Sequence, residues 1–206
     1  MSNTQHRETE VKIFTPNLHE IREKLEQLGA RLLQERVFEL NVRYDSSDGS
    51  LSSRGIVLRL RQDTQTRLTY KSPGNIERGI VTREELEVAL SDFDTMDIIL
   101  AKLGYHPYMT YEKYRAVYQI GAVEVMLDEL PYGNFIEVEG MAQDIEDILQ
   151  TLGLHHAQRR TDSYTKLFDF VRHHLELHFQ DLTFENFKDV DVPESAFIPP
   201  GSIVIE

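Results

Sequence analysis

Along most of this chain apolar and charged residues alternate one for one, the period of a strand with one face turned to a core. The alternation runs, in whole or in part, through residues 7–14, 30–44, 56–62, 66–72, 81–90, 108–120, 122–130 and 135–140, and predicts eight strands. Breakers separate them: Thr15-Pro16-Asn17, the run Asp45 to Ser50, Pro73-Gly74, Gly121 and Pro131 to Asn134. Between groups of strands the period changes to that of helices. Asn17, with Glu20 three residues on, predicts an N-cap ahead of Leu18, Ile21, Leu25 and Leu28. Further helices are predicted over 94–103, capped near Asp94 or Thr95, over 142–152 and over 162–177. Three of the four close on Leu-Gly, at Leu28-Gly29, Leu103-Gly104 and Leu152-Gly153.

The two faces of the strands differ sharply. One carries Val11, Ile13, Leu58, Leu60, Leu68, Tyr70, Leu86, Val88, Val125, Leu127, Ile136 and Val138, an apolar surface that amphipathic helices can cover. The other carries seven bases (Lys12, Arg59, Arg61, Lys71, Arg83, Lys113, Arg115) and seven acids (Glu8, Glu10, Glu85, Glu87, Asp128, Glu137, Glu139). A half-solvated antiparallel sheet is the plain reading of such a face, but Ser and Thr would then be mixed through it. Here like charges recur two residues apart, as in Glu8 and Glu10, Arg59 and Arg61, or Lys113 and Arg115. Such neighbours repel unless opposite charge lies between them, so the face is read as binding a polyanion together with divalent cations. Eight strands can close into a barrel, which removes their edges and turns a charged face into a polar tunnel. The fold expected is therefore α+β: a closed, antiparallel β-barrel with a charged interior, covered outside by helices.

Composition narrows the chemistry. A length of 206 residues with 40% hydrophobic content fits one domain, here 1–178, followed by an acidic, Pro-containing tail at 179–206. A net charge of -13 argues against a broadly basic nucleic-acid surface, while a local basic cluster in a concave site still suits a small anion. There is no cysteine, hence no disulfide framework or thiolate metal site, and the histidines lack ligand spacing for zinc. The absence of a hydrophobic leader or of an apolar run of spanning length leads to the expectation of a cytoplasmic protein with no membrane partner. The tail's Phe179, Phe184, Phe187 and Phe197 raise the expectation that it covers the domain or supports a homodimer.

The ordered set ETEVK, VLRLR, TYKSP, REELEV, EKYR, LDELPYGNFIEVEG and SYTKL, from about Arg7 to Phe168, resembles the CYTH superfamily, the triphosphate tunnel metalloenzymes. The resemblance implies an eight-stranded tunnel acting on triphosphate compounds with Mg²⁺ or Mn²⁺. It implies Glu8, Glu10, Glu137 and Glu139 as metal-side carboxylates and Lys12, Arg59, Arg61, Lys71, Lys113 and Arg115 as phosphate-binding bases. Arg83 shares the face with these bases, and Lys166 matches a further substrate-binding lysine. Asp128 is assigned to the metal or to orienting water, and Glu85 and Glu87 are further tunnel acids. Lys12, on one face with the first carboxylates, is the base expected to matter most for catalysis. The activities implied are a metal-dependent triphosphatase or a class IV adenylyl cyclase; a non-catalytic polyphosphate- or nucleotide-binding module is the third reading of the same charged face. No nucleobase pocket is evident in the sequence.

Overall fold

A computed structural model describes residues 7–199. In chain order its elements are β1 (Arg7–Phe14), α1 (Leu18–Gln27), β2 (Arg31–Ser46), β3 (Val57–Gln62), β4 (Thr66–Lys71), β5 (Asn75–Glu77), β6 (Ile80–Leu90), α2 (Phe93–Lys102), β7 (Tyr105–Ile120), β8 (Val123–Leu130), β9 (Gly133–Glu139), α3 (Ala142–Leu152), β10 (Arg159–Arg160) and α4 (Tyr164–His174). The sheet order β1-β9-β8-β7-β2-β3-β4-β6 returns to β1, so eight antiparallel strands form a closed barrel, with β5 and β10 as short additions. The closing seam pairs Glu8 with Arg83 and Glu10 with Val81. Two-residue periodicity then sends one side chain of each pair into the lumen and its neighbour out.

The outward apolar residues are covered by helices on one half of the barrel. Asn17 caps α1 as expected, its side-chain oxygen accepting the Glu20 N–H at 3.2 Å. Ile21 and Leu25 of α1 join Ile145, Leu149 and Leu152 of α3 over Val11, Val125, Leu127, Ile136 and Val138. On the opposite half α2 covers less: Leu100 packs with Tyr44 and Leu60, while Leu86 and Val88 on β6 remain exposed at 42% and 53%. The expectation that helices cover the whole apolar face thus holds for only part of it. The N-cap of α2 is Asp92, whose carboxylate accepts from Thr95 N–H at 2.7 Å, rather than Asp94 or Thr95.

One end of the barrel is sealed. Leu167, Phe168 and Val171 of α4 pack with Tyr111, Leu130 and Phe135, and the tail adds Leu182, Phe187 and Phe197 to the same cluster. Leu182 docks by backbone bonds, its N–H donating to the Thr110 carbonyl and its carbonyl accepting from Glu112 N–H, both at 2.9 Å. Phe197 lies 5.2 Å from Phe14, 5.3 Å from Tyr132 and 5.6 Å from Phe135, ring centroid to centroid. Gly133, at φ +149°, makes this packing possible, because a Cβ there would stand 2.8 Å from the Phe14 ring. The tail's described aromatic anchors are therefore used within the chain; Ile203 to Ile205 lie outside the described residues. Among the described residues no helix is long and apolar enough to cross a membrane.

Candidate active site

From the sealed end at Phe14, the lumen-facing residues of β1 step outward through Lys12, Glu10 and Glu8. The barrel encloses a cavity of about 430 Å³, a size typical of small-molecule sites. Its lining takes in Glu8, Glu10 and Lys12 of β1, Arg59 and Arg61 of β3, Lys71 of β4, Arg83, Glu85 and Glu87 of β6, Lys113 and Arg115 of β7, and Glu137 and Glu139 of β9. Thirteen of the fifteen residues singled out in the sequence are thus brought together. The exceptions are Asp128 and Lys166.

Charge is distributed unequally around the lumen. On β9, β1 and β6 carboxylates predominate. Glu8 is held by Lys71 at 2.7 Å and by Arg83 at 2.8 Å, Glu10 by Arg83 at 3.0 Å, and Glu85 by Lys71 at 2.8 Å. Glu139 makes no ion pair among the described residues. Burial, followed by the neighbouring Glu8, Glu10 and Glu85, pushes its carboxyl up to about 7 against the pull of Lys71. On β3, β2 and β7 the bases predominate. Arg59 donates to Tyr111 Oη at 3.2 Å and to Thr69 at 3.1 Å, and Lys113 lies 3.5 Å from Glu39, which also faces Arg61 at 3.6 Å. Although burial opposes ionisation of Glu39, Lys113, Arg61, Arg115 and Arg59 together hold its carboxyl well below the usual range.

Lys12 sits where the two walls meet. Its ammonium lies 3.0 Å from Glu137 and 4.6 Å from the centre of the Tyr164 ring. Burial favours the neutral amine, but Glu137 and Glu10 outweigh it and raise the pKa, so Lys12 stays charged. These cross-strand partners qualify the charge argument drawn from the sequence. The like-charged pairs are balanced in part by the protein itself, so their repulsion does not by itself require a ligand.

Asp128 stands apart from the other acids of this face. It is fully buried, taking Arg115 Nε at 2.6 Å, Lys113 at 3.1 Å and the Tyr164 hydroxyl at 2.7 Å. With its oxygens so occupied it positions two lumen bases, and it lies behind the residues that line the cavity. Lys166 is exposed, 3.9 Å from Asp169, and points away from the lumen. The reason is helical period: Tyr164, Leu167, Phe168 and Val171 form the buried face of α4, and a residue two positions from Tyr164 lies on the other side.

A sequence model of the CYTH domain matches residues 6–164, and the tunnel built by those residues has the charged lumen just described. The chain belongs to the CYTH family. An Aeromonas hydrophila protein named adenylate cyclase CyaB is 28% identical over 160 residues, 69% of this chain and 78% of its own length. A Methanocaldococcus jannaschii protein provisionally named an adenylate cyclase is 29% identical over 142 residues, 68% of this chain and 80% of its own. Among solved structures, a provisionally named adenylate cyclase from Vibrio parahaemolyticus superposes with a TM-score of 0.71 at 20% identity, covering 80% of this chain and 99% of that one. A Hippeastrum protein, provisionally named an adenylyl cyclase and described as having a dominant triphosphatase activity, superposes at 0.60 and 19% identity, covering 79% and 95%. At these identities the two structures establish the fold alone.

The CYTH tunnel of this chain also holds residues that the sequence reading passed over. Glu39, Asn41 and Arg43 of β2 are buried on the lumen side, and Tyr111 and Tyr164 close its inner end. The alternation Glu39-x-Asn41-x-Arg43 was the available signal for the first three. For a hard cation such as Mg²⁺ or Mn²⁺ the donor set fits, being all carboxylate oxygen, and the raised Glu139 carboxyl marks an excess of negative charge that a cation relieves. Among the described residues no three Asp, Glu or His side chains converge on one point, because Lys71 and Arg83 stand between the carboxylates.

Proposed function

We propose that this CYTH protein is a hydrolase of triphosphate-containing small molecules, dependent on Mg²⁺ or Mn²⁺. The observation that carries the reading is the enclosed lumen in which a base-rich wall faces a carboxylate-rich one. Arg59, Arg61, Lys113 and Arg115 bind phosphate oxygens, with the guanidinium groups offering paired donors and the lysine a point charge. Lys12, between the walls and held cationic, offsets charge that builds on the transferred phosphoryl group. Glu8, Glu10, Glu137 and Glu139 are the carboxylates that would hold the metal, which when bound polarises phosphate oxygens and lowers the pKa of water. The closed wall and the sealed end confine solvent access to the open mouth and fix the direction of the phosphate chain.

The adenylate cyclase names of the relatives favour cyclisation of ATP as a second reading. That reaction needs a slot that holds the base and ribose so that the 3′-hydroxyl reaches the α-phosphate. The aromatic groups of the lumen are otherwise engaged: the Tyr164 hydroxyl donates to Asp128 and Tyr111 accepts from Arg59. Hydrolysis needs only the triphosphate end, which these walls suit. Purified protein is incubated with tripolyphosphate, thiamine triphosphate and ATP, each with Mg²⁺ or Mn²⁺, alongside Lys12→Ala. Orthophosphate release that falls at least about a hundredfold in the variant supports the proposal. Pyrophosphate with cyclic AMP establishes the cyclase instead, and binding without turnover reduces the protein to a polyphosphate-binding module.

A further inference from the structure

Eight of the nine basic side chains bordering the lumen have a carboxylate within 4.0 Å among the described residues: Lys12 has Glu137, Lys71 has Glu8, Lys113 has Asp128, and the others are similarly met. Arg43 does not. It is 8% exposed, it borders the cavity, and its Nε is buried without a hydrogen-bond partner. Apart from the Tyr108 ring 5.8 Å away, nothing among the described residues offsets its charge, and a guanidinium without a carboxylate at such depth is costly unless a ligand completes it. Its one side-chain bond is Nη1 to Thr165 Oγ1 at 3.2 Å, in the first turn of α4. Ser163 and Thr165 border the cavity at the same place, so the positive end of an 11-residue helix and an unpaired Arg converge there.

We propose that Arg43 and the first turn of α4 form an anion subsite at the inner end of the lumen, which takes the terminal phosphate of a linear chain of at least three. This rests on the phosphate reading of the lumen above. Arg43 pairs in register with Arg59 across β2 and β3, so the subsite widens the base-rich wall at the level of Arg59. A three-phosphate chain entering along Arg61 brings its last phosphate between Arg59 and Arg43, and a diphosphate held by Arg61 and the bases nearer the mouth leaves Arg43 empty. The site therefore reads chain length. The role also passes from Lys166, which faces solvent, to a base delivered by β2.

The test measures tripolyphosphate and pyrophosphate binding by calorimetry in the presence of Mg²⁺, for wild type, Arg43→Gln, Arg43→Lys and Lys166→Gln. Arg43→Gln is expected to weaken tripolyphosphate about tenfold to a hundredfold while changing pyrophosphate by no more than about twofold, with Arg43→Lys in between and Lys166→Gln equal to wild type. A merely structural role for Arg43 would weaken both probes equally. That result, or unchanged tripolyphosphate binding, overturns the subsite. If Arg43→Gln does not fold, Arg43→Lys carries the same test, since a compact ammonium loses the forked contact and must still weaken the longer chain more than the shorter. Wild type that binds neither probe overturns the phosphate reading of the whole lumen, Arg43 included.

Discussion

The wall formed by β9, β1 and β6 and the wall formed by β3, β2 and β7 face each other across one lumen, and a titratable side chain on each records the local field. Burial pushes both Glu139 and Tyr111 upward, because it penalises the charged form of either. On the first wall Glu8, Glu10 and Glu85 add to burial, and the Glu139 carboxyl is lifted to about 7. On the second, Arg59, Lys113 and Arg61 more than reverse it, and the Tyr111 phenol is lowered to about 8. The interior is therefore polarised, although most of its charges are paired. One side stabilises added cation and the other added anion, and a metal-bound oligophosphate supplies both at once.

The comparison breaks most visibly if the two walls respond alike to losing an acid. On the base-rich side, Asp128→Ala leaves Arg115 and Lys113 buried with weakened compensation and frees the Tyr164 hydroxyl. It is expected to cost about 3–5 kcal/mol in urea unfolding. On the acid-rich side, Glu8→Ala leaves Lys71 with Glu85 at 2.8 Å and Arg83 with Glu10 at 3.0 Å, and it also relieves Glu139. Its cost is expected to be about 1 kcal/mol or less. Equal losses for the two variants would mean that the lumen is a uniform ion-pair mesh.

A smaller effect is expected at Glu139. Its folded pKa of about 7 lies above the ordinary 4.5, so the folded state binds the extra proton between those values and stability falls as pH rises through that interval. Glu139→Gln abolishes that fall, and at pH 8 without metal it stabilises the protein by an amount on the order of 2 kcal/mol. Urea midpoints at pH 5 and pH 8 decide the matter; a variant that keeps the wild-type slope would show that another group carries the titration. With Mg²⁺ present the wild-type fall is expected to shrink, since bound cation replaces the proton.

Much of this polarity was legible in the chain because strict alternation survives in β1, β3, β4, β6, β8 and β9, where every second residue enters the lumen. It was hidden in β2, whose pairing with β7 shifts register between Leu32 and Gln34, between Gln34 and Val37 and between Arg43 and Tyr44. Two of these shifts fall before Glu39 and one after Arg43, so the alternation Glu39, Asn41, Arg43 is regular but short, and the reset parity on either side keeps it from reading as part of one long alternating strand. Tyr164 enters from a helix, which carries no strand periodicity at all, and Lys166, expected at the substrate from the resemblance carried by SYTKL, lies on the exposed side of α4. The docking of the tail follows from Leu182, Phe187 and Phe197 packing as isolated anchors, with no repeating pattern to announce where each would land.

The smallest expected effect is the most direct probe of the base-rich wall. Tyr111 accepts a hydrogen bond from Arg59 and titrates near 8 only because cations surround it. An oligophosphate laid on those cations adds negative charge beside the phenol, disfavours phenolate and drives the pKa back toward or above the ordinary 10. By linkage, binding then takes up a proton in that range, and affinity for tripolyphosphate weakens as pH rises from 8 to 10, by at most about tenfold per unit. Tyr111→Phe keeps the ring, removes the titration and flattens the profile, apart from whatever the lysines contribute near 10. Ultraviolet titration of the phenolate with and without tripolyphosphate reads the shift itself. A ligand-independent Tyr111, with binding intact, would place the phosphate chain away from Arg59 and Arg61 and leave the acid-rich wall, through bound cation alone, as the surface that holds it.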